Sequence, residues 1–444
     1  MAPPRVLILC TWFPPVNAPG ARRPYQLARC LRDRGWAVSV LTSTPESATE
    51  PYGNLAGLSI LRAPRTAATH DLNAAQRSLL RSVLATRGRW INGPLRVLAD
   101  LALPFRHSLR WDFSPSMIEA GLGAQDIIVA TSPDPTVFHT GARLARQWNA
   151  VWAVDYRDPW NVAVPEVAKD IITHQGPGLA GALRRARMRK LERRFCGNAD
   201  LITAVSGAFL ANAMAITGNA HGAVVRGGFD PAQRPGKRGL SERFILTHTG
   251  QLYPEQPWHL FFAALLELRR AHPKLADRLR VRFVGPASTD PEMMRQLERA
   301  AQATGLIDRI PAVGPQEALA LQSDSDALLQ VALTGRKGYL PVKFLEYLGA
   351  NRPILLLSGE QDEMEEAIMT TRTGTIVRDR AALVDHLTDH LRAHEAGRSL
   401  AYNPNEEALS VFDYGRNMHR WADMLEAAWR KNAAQVRARP TSGR

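Results

Sequence analysis

Residues 343–357 read KFLEYLGANRPILLL and predict a short helix, a turn and a buried strand. The apolar positions of the first half recur at helical spacing; they are Phe344, Leu345, Tyr347 and Leu348. Pro353 cannot continue a helix and disfavours helical backbone in the residue before it. The run Ile354–Leu357 is apolar without alternation, which is typical of a strand covered on both faces.

Two charged residues stand near the start of this predicted helix. Lys343 and Glu346 are three residues apart, so they share one helical face. A cation suits phosphate and a carboxylate suits sugar hydroxyls. The pair therefore predicts a nucleotide-binding site.

The segment resembles the donor-binding element of retaining glycosyltransferases with the GT-B fold, of the family-4 type (glycosyltransferase group 1). The resemblance implies an α/β protein with two Rossmann-like, doubly wound domains facing a central cleft and a C-terminal helix that crosses back to the N-domain. It also implies that Glu346 binds the ribose of a nucleoside-diphosphate sugar of the UDP or GDP type. The family uses no metal ion and no other cofactor, so we expect none here.

The N-terminal segment predicts the opening of the first sheet. A strand at Arg5–Cys10, a helix from about Ala21 to Arg34 and a strand at Val38–Thr42 form a β-loop-α-β unit. Gly20 closes the loop before the helix, where amides and the helix dipole suit a diphosphate or an acceptor hydroxyl. An ordinary connection is the alternative. The loop is similar to the first loop of many family-4 transferases, which favours the site.

Three charged residues, Asp155, Arg157 and Asp158, follow a predicted buried strand at Val151–Val154. Burial of a charge at such a position destabilises the fold unless the charge is paired or faces a cleft. The hexapeptide Asp155–Trp160 resembles a motif that borders the acceptor side of the cleft in a family-4 subgroup. The resemblance implies that one Asp orients the acceptor hydroxyl while Arg157 pairs with phosphate or with the other Asp. The alternative is a buried Asp–Arg clamp that holds the loop.

The second half of the chain supplies the other candidate donor-binding residues. A strand at Phe244–Thr249 ends in a glycine turn, and a short strand is predicted at Ile310–Gly314, whose loop meets the nucleobase in the family. A third strand, at Ala327–Val331, leads into a basic loop. The candidates in these three loops are Gly250, Gln251, Val313, Gly314, Arg336, Lys337 and Gly338.

Three positions depart from the family pattern. Gly338 stands eight residues before Glu346, where the family has a second Glu for the transferred sugar. Gln251 stands where an Arg follows the glycine turn, and Pro257 stands where a Lys is expected. One explanation is that positive charge comes from another direction, through Arg336, Lys337 and Lys343. The other is that the protein binds without transferring.

The patterns also predict domain boundaries. Residues 1–230 form an N-terminal acceptor domain and residues 243–410 a nucleotide-sugar domain. Residues 411–430 form the returning helix, and 431–444 form a disordered tail. A basic insertion at about 75–111 has apolar and aromatic residues beside Arg, which suits a helix in a membrane interface or a packed helix with a solvated rim.

Composition narrows the class of protein. The chain has 444 residues, a net charge of +14 and three Cys, too few for a disulfide framework or a zinc cluster. The charge indicates an anionic partner, which is a nucleotide, a phospholipid surface or nucleic acid. The alternative is an Arg-rich composition of genomic origin without a functional meaning. No apolar run reaches the roughly 18 residues of a membrane span. We expect a cytoplasmic protein, with the inner face of the membrane as a candidate surface.

The predicted reaction is transfer of a sugar, hexosyl or related, to a hydroxyl of a lipid-linked or small-molecule acceptor. Cell-envelope polysaccharide, glycolipid and natural-product glycoside synthesis are the candidate settings. A non-hydrolysing sugar-nucleotide 2-epimerase has the same two-domain fold, but it needs carboxylates on the sugar, and Gly338 argues against it. Nucleic acid is disfavoured as a partner, because zinc-finger spacing and RNP-type aromatic motifs are absent from the sequence.

Overall fold

The structure is a computed structural model that describes residues 2–16, 18–45, 53–63, 65–67, 109–111, 121–131, 134–163, 167, 178–236, 239, 241–357, 359 and 361–438. The chain divides into two compact units. The first comprises Met1–Val225 together with Met418–Arg444, and the second comprises Arg226–Asn417. The predicted insertion at about 75–111 lies outside the described residues, except for its last three.

The strands of the first unit, as far as the structure describes it, are β1 (Arg5–Leu9), β2 (Ala37–Ser43), β3 (Ser59–Ala63), β4 (Arg65–Ala67), β5 (Leu109–Trp111), β6 (Ile127–Thr131), β7 (Val151–Tyr156), β8 (Leu201–Ala204) and β9 (Gly222–Val224). Seven of them form one parallel sheet in the order β3-β2-β1-β6-β7-β8-β9. β4 and β5 pair antiparallel. The prediction of helix was therefore wrong at Leu109–Trp111, where an apolar-charged-apolar alternation suits a strand.

The helices of this unit are α1 (Pro19–Asp33), α2 (Pro135–Trp148), α3 (Gly178–Cys196) and α4 (Gly207–Thr217). Ser206 caps α4 by accepting a hydrogen bond from the backbone N–H of Phe209 at 3.2 Å. Among the described residues, the structure contains no helix that combines the length and the apolar character needed to cross a bilayer.

The second unit has the strands β10 (Phe244–Thr249), β11 (Leu279–Val284), β12 (Ile307–Ile310), β13 (Ala327–Val331), β14 (Ile354–Leu357) and β15 (Gly374–Val377). They form a parallel sheet in the order β12-β11-β10-β13-β14-β15. Its helices are α5 (Trp258–Ala271), α6 (Pro273–Ala276), α7 (Pro291–Thr304), α8 (Pro315–Ser323), α9 (Val342–Gly349), α10 (Glu363–Thr371), α11 (Arg380–Glu395) and α12 (Glu406–Leu409).

The segment 343–357 folds as its sequence predicts. α9 ends at Gly349, Asn351 takes a left-handed φ of 57°, and β14 begins directly after Pro353. The four predicted apolar positions of α9 are buried, and all of β14 is buried. The apolar side of α9 packs in one cluster with Ile354 and Leu356 of β14, which orients the face that carries Lys343 and Glu346.

The last helix, α13 (Tyr414–Ala438), begins in the second unit and belongs to the first unit from Met418 onward. Trp421 is fully buried there, and the Arg34 guanidinium meets the Asp423 carboxylate at 2.6 Å. The helix continues through Ala438, so the prediction of a disordered tail was wrong for residues 431–438. Residues 439–444 lie outside the described residues.

Glu192 is a carboxyl group on α3 that is buried inside the first unit. It lies beside the hydroxyl of Tyr156 and the amide of Asn161. Burial raises the pKa of Glu192 to about 8, although both polar neighbours act in the opposite direction. The carboxyl is therefore mostly protonated in the folded protein at neutral pH.

We expect this proton to make stability depend on pH. The folded state keeps the proton while the unfolded state releases it above about pH 4.5, so the contribution to stability is present at low pH and is lost as the pH rises through about 8. In Glu192→Gln the side chain is neutral at every pH. The thermal unfolding midpoint of this variant should therefore fall less than that of the wild type between about pH 5 and pH 9.

Differential scanning calorimetry across that range measures the difference. The variant Glu242→Gln changes an exposed carboxylate and should follow the wild-type curve. Equal pH slopes for the wild type and Glu192→Gln would show that Glu192 is ionised in the folded state.

Candidate functional site

The sheet of the second unit reverses its order at one place. β10 lies between β11 on one side and β13 on the other, so the connections leave β10 and β13 toward opposite edges. In open parallel sheets, ligands bind beside the carboxyl ends of the strands at such a switch point. Gly250 and Gln251 directly follow β10, and residues 332–341 connect β13 to α9.

The side chain of Lys343 reaches into this switch point from the first turn of α9. Its Nζ donates a hydrogen bond to the carbonyl oxygen of Gln251 at 3.1 Å and lies 3.1 Å from Nε2 of His248. A Cβ at Gly250, whose φ is +83°, would stand 3.9 Å from this Nζ. The ammonium group thus lies at the glycine turn, where the family pattern places an Arg from the position of Gln251.

His248 is fully buried, and its Nε2 is the second hydrogen-bond partner of Lys343. Its Nδ1 lies 3.0 Å from the carbonyl oxygen of Leu329, which only accepts, so Nδ1 carries the hydrogen. Nε2 is then free to accept from Lys343. Burial, followed by the charge of Lys343, holds the pKa of His248 well below its usual value. The imidazole is therefore neutral.

The environment also acts on Lys343 itself. Burial lowers the pKa of its ammonium group to about 7, while the charge of Glu346 raises it. The two hydrogen-bond acceptors of the ammonium are both uncharged. An anion that reaches Nζ would therefore favour the charged form of Lys343 and would be attracted to it in turn.

Glu346 lies one turn after Lys343 and is partly buried. Gln322, at the end of α8, is 3.4 Å from Oε2 of Glu346 and 3.4 Å from the hydroxyl of Thr249 through its Nε2. The hydroxyl of Tyr347 accepts a hydrogen bond from the backbone N–H of Thr249 at 2.8 Å. These contacts tie α8, α9 and the end of β10 together around the carboxylate.

The loop between β13 and α9 contains three more of the predicted residues. Arg336 is 3.2 Å from the Glu255 carboxylate, which offsets part of its charge, and Lys337 is exposed. Gly338 is buried with a φ of +79°, a backbone conformation that L side chains rarely adopt. The missing second Glu of the family pattern therefore coincides with a backbone that favours glycine.

Val313 and Gly314 lie in the loop between β12 and α8, at the same edge of the sheet. The predicted strand at Ile310–Gly314 was wrong: the strand ends at Ile310, and Pro311–Gly314 are loop residues. Gly314 is exposed and stands at the amino end of α8, without a side-chain cap.

In the first unit, Asp155 is fully buried and paired. Its Oδ1 accepts hydrogen bonds from Nη2 of Arg23 at 2.6 Å and from the Thr203 hydroxyl at 2.7 Å. Its Oδ2 accepts from Nε of Arg23 at 2.8 Å and from the Thr131 hydroxyl at 2.6 Å. This geometry favours the structural clamp over an acceptor-binding role, with Arg23 as the partner instead of Arg157.

Arg23 extends the same cluster. Its Nη1 donates to the carbonyl oxygen of Val225 at 2.9 Å, and its guanidinium lies 4.6 Å from the ring centroid of Trp421. One buried ion pair thus joins α1, three neighbouring strands, the end of β9 and α13. The unit is organised around this pair.

Gly20, Arg157 and Asp158 do come together. The Arg157 guanidinium is 2.8 Å from Oδ2 of Asp158 and 5.4 Å from the ring centroid of Trp12. A Cβ at Gly20 would stand 1.9 Å from Nη1 of Arg157 and 2.5 Å from Cε3 of Trp12. Gly20 therefore leaves the space that Arg157 fills at the amino end of α1. Both side chains of the pair are partly exposed.

The comparisons with known proteins place this architecture in the GT-B fold. Sucrose-phosphate synthase of Thermosynechococcus elongatus is similar with a TM-score of 0.61 and 14% identity, over 96% of this chain and 100% of that one. HepE of Anabaena in complex with UDP gives 0.59 and 14%, over 95% and 100%. The UDP-forming trehalose-phosphate synthase of Burkholderia xenovorans gives 0.57 and 13%, over 97% and 99%. At these identities the likeness establishes the fold, as predicted.

No family model and no curated protein matches this chain. Within the described residues, no group of three or more His, Cys, Asp or Glu side chains is arranged to hold a metal ion. The residues that sequence reasoning missed are His248, Gln322 and Arg23. A signal existed for His248, because a titratable residue in a predicted buried strand requires a partner.

We expect Arg23→Leu to destabilise the first unit strongly. Removal of one partner leaves the Asp155 carboxylate buried with only two hydroxyl donors, which typically costs about 3 to 5 kcal/mol. Urea unfolding monitored by circular dichroism measures this free energy. The matched control Arg295→Leu removes a guanidinium from an exposed pair with Glu292 and should leave the unfolding free energy unchanged. A stable Arg23→Leu protein would show that the pair does not organise the unit.

Proposed function

We propose that the protein is a retaining glycosyltransferase that moves a sugar from a nucleoside-diphosphate sugar to an acceptor hydroxyl. The observation that supports this most is the position of the Lys343 ammonium, which lies at the switch point of the second sheet against two uncharged acceptors. A diphosphate leaving group develops negative charge as the sugar departs. A fixed ammonium at that place stabilises the charge, and the other protein groups need not rearrange.

The roles of the donor-binding residues follow from this placement. Lys343 has three N–H donors, two of which face Gln251 and His248, so the third is available to a phosphate oxygen. Glu346 accepts hydrogen bonds from the ribose hydroxyls. Arg336 and Lys337 add positive charge from the neighbouring loop. Solved structures of the same fold include HepE with UDP and with UDP-glucose, which supports a UDP-type donor over a GDP-type donor.

The first unit supplies the acceptor side in this proposal. Arg157 and Asp158 are partly exposed beside Gly20 and Trp12, and they offer a cation and a carboxylate to an incoming hydroxyl compound. Asp155 takes no part, because both of its oxygens are occupied. A solved structure of trehalose-6-phosphate synthase of this fold addresses transfer with retention, which supports the retaining stereochemistry.

The setting is part of the proposal as well. Family-4 type chemistry and a product in cell-envelope polysaccharide, glycolipid or natural-product glycoside synthesis rest on the sequence resemblance. A cytoplasmic location on the inner face of a membrane is supported by α3. That helix has seven basic residues between 184 and 194 and two exposed apolar residues, Leu179 and Leu183.

The experiment that tests the proposal is a thermal-shift screen of nucleotide sugars followed by mass spectrometry of the products. A transferase leaves the donor intact or hydrolyses it slowly when the donor is alone, and it releases nucleotide when a suitable acceptor is added. Epimerised donor in the absence of acceptor would identify a 2-epimerase instead. Binding without turnover across acceptor classes would identify a protein that only binds.

Two variants test the donor site directly. We expect Lys343→Met and Glu346→Ala to weaken UDP binding about ten-fold or more each, since each removes a charge-assisted hydrogen bond of roughly 1.5 to 3 kcal/mol. Isothermal titration calorimetry measures the dissociation constants. Lys274→Met removes an exposed lysine elsewhere in the same unit and should bind as the wild type does. Wild-type affinity and turnover in Glu346→Ala would refute its assignment to the ribose.

A further inference from the structure

The second unit contains a cavity at the edge of its sheet opposite to the candidate donor site. Its volume is about 270 Å³. The lining comes from residues that precede or begin β10, β13 and β14, from the last turn of α11 and from the chain that follows it. Its lining includes the side chains of Phe244, Asp326, Arg352, His394, Arg398 and Tyr402.

His394 is the polar group that the packing leaves unexplained. It is 8% exposed, and neither of its ring nitrogens has a hydrogen-bond partner among the described residues. The ring packs edge-on against Phe244, with 5.9 Å between centroids and 89° between planes. A buried imidazole without partners loses the hydrogen bonds that it makes in water. Both nitrogens are closed to water as the ring stands, so a small rotation of the imidazole is needed before a ligand in the cavity can restore one of these hydrogen bonds.

The charges around the cavity favour an anion. Arg352 is 7% exposed and is held by carbonyl oxygens, with Nε donating to Ser323 at 2.9 Å and Nη1 to Asn351 at 2.7 Å. Arg398 is exposed and follows the end of α11. The one carboxylate of the lining, Asp326, already accepts from the backbone N–H of Ile245 at 2.8 Å.

We propose that this cavity is a second binding site, for a small phosphate-containing ligand. Arg398 pairs with the phosphate oxygens, and the imidazole of His394 donates to them from the buried side. The hydroxyl of Tyr402 adds a polar group, and Phe244 closes the floor. The volume lies just below the range of about 300 to 1,000 Å³ that holds drug-sized molecules, so the ligand has few heavy atoms.

The site is separate from the candidate donor site. Phe244 begins β10 and Gly250 follows its end. Six residues of strand span about 20 Å, so one ligand cannot reach both edges. The two sites can therefore be tested independently, and failure of one leaves the other untouched.

The test is calorimetric titration with inorganic phosphate and, separately, glycerol 3-phosphate. We expect binding of at least one of them to the wild type, a loss of affinity of about ten-fold or more in Arg398→Gln, and no loss in Lys343→Met. Because Arg398 is exposed, its replacement leaves the fold intact. Tighter binding of glycerol 3-phosphate would identify a metabolite phosphoryl group, and tighter binding of inorganic phosphate would identify the free ion.

A second variant, His394→Phe, fills the buried side with an apolar ring and should also lose the affinity. Two results would overturn the proposal. One is no binding of either probe up to about 10 mM, beyond the millimolar range of weak specific sites. The other is binding that Lys343→Met abolishes and Arg398→Gln leaves unchanged, which would place the phosphate at the donor site.

Discussion

The candidate donor site depends on an ammonium group that is held against two neutral acceptors. His248 is neutral because its Nδ1–H faces the Leu329 carbonyl and its ring is buried, so its Nε2 accepts a hydrogen bond from Lys343 without adding a charge. The carbonyl of Gln251 completes the position. Because neither acceptor is negatively charged, the charge of protonated Lys343 remains available to an anion. The ammonium lies at the switch point of the sheet, where Gly250 and Gln251 follow β10.

Much of the fold follows from local pattern. The strand Ile354–Leu357 and the helix before it formed as predicted, because their buried positions follow from the pattern of apolar residues in the sequence. The errors fell where pattern is weak. β12 is an edge strand without a fully buried residue, so its boundary was misplaced. The end of α13 beyond residue 430 is half polar, so its helical pattern is weak. Leu109–Trp111 form a strand because they pair with Arg65–Ala67, which is distant in the sequence.

The site was partly predictable for the same reason. Spacing alone puts Lys343 and Glu346 on one face, and a glycine turn after a strand marks the position of Gly250. Tertiary partners cannot be read this way. Arg23 meets Asp155 across 132 residues and Lys343 meets His248 across 95. A charged residue in a buried position indicates that it has a partner. The identity of that partner depends on the tertiary fold and cannot be predicted from local sequence.

The most direct test of this account is proton uptake on nucleotide binding. With a pKa of about 7, Lys343 is mostly neutral at pH 8, and a bound diphosphate should restore its charge. Calorimetry of UDP binding in buffers of different ionisation enthalpy should show uptake approaching one proton at about pH 8 and almost none in Lys343→Arg, which stays charged. Tight UDP binding without proton uptake in the wild type would contradict the account.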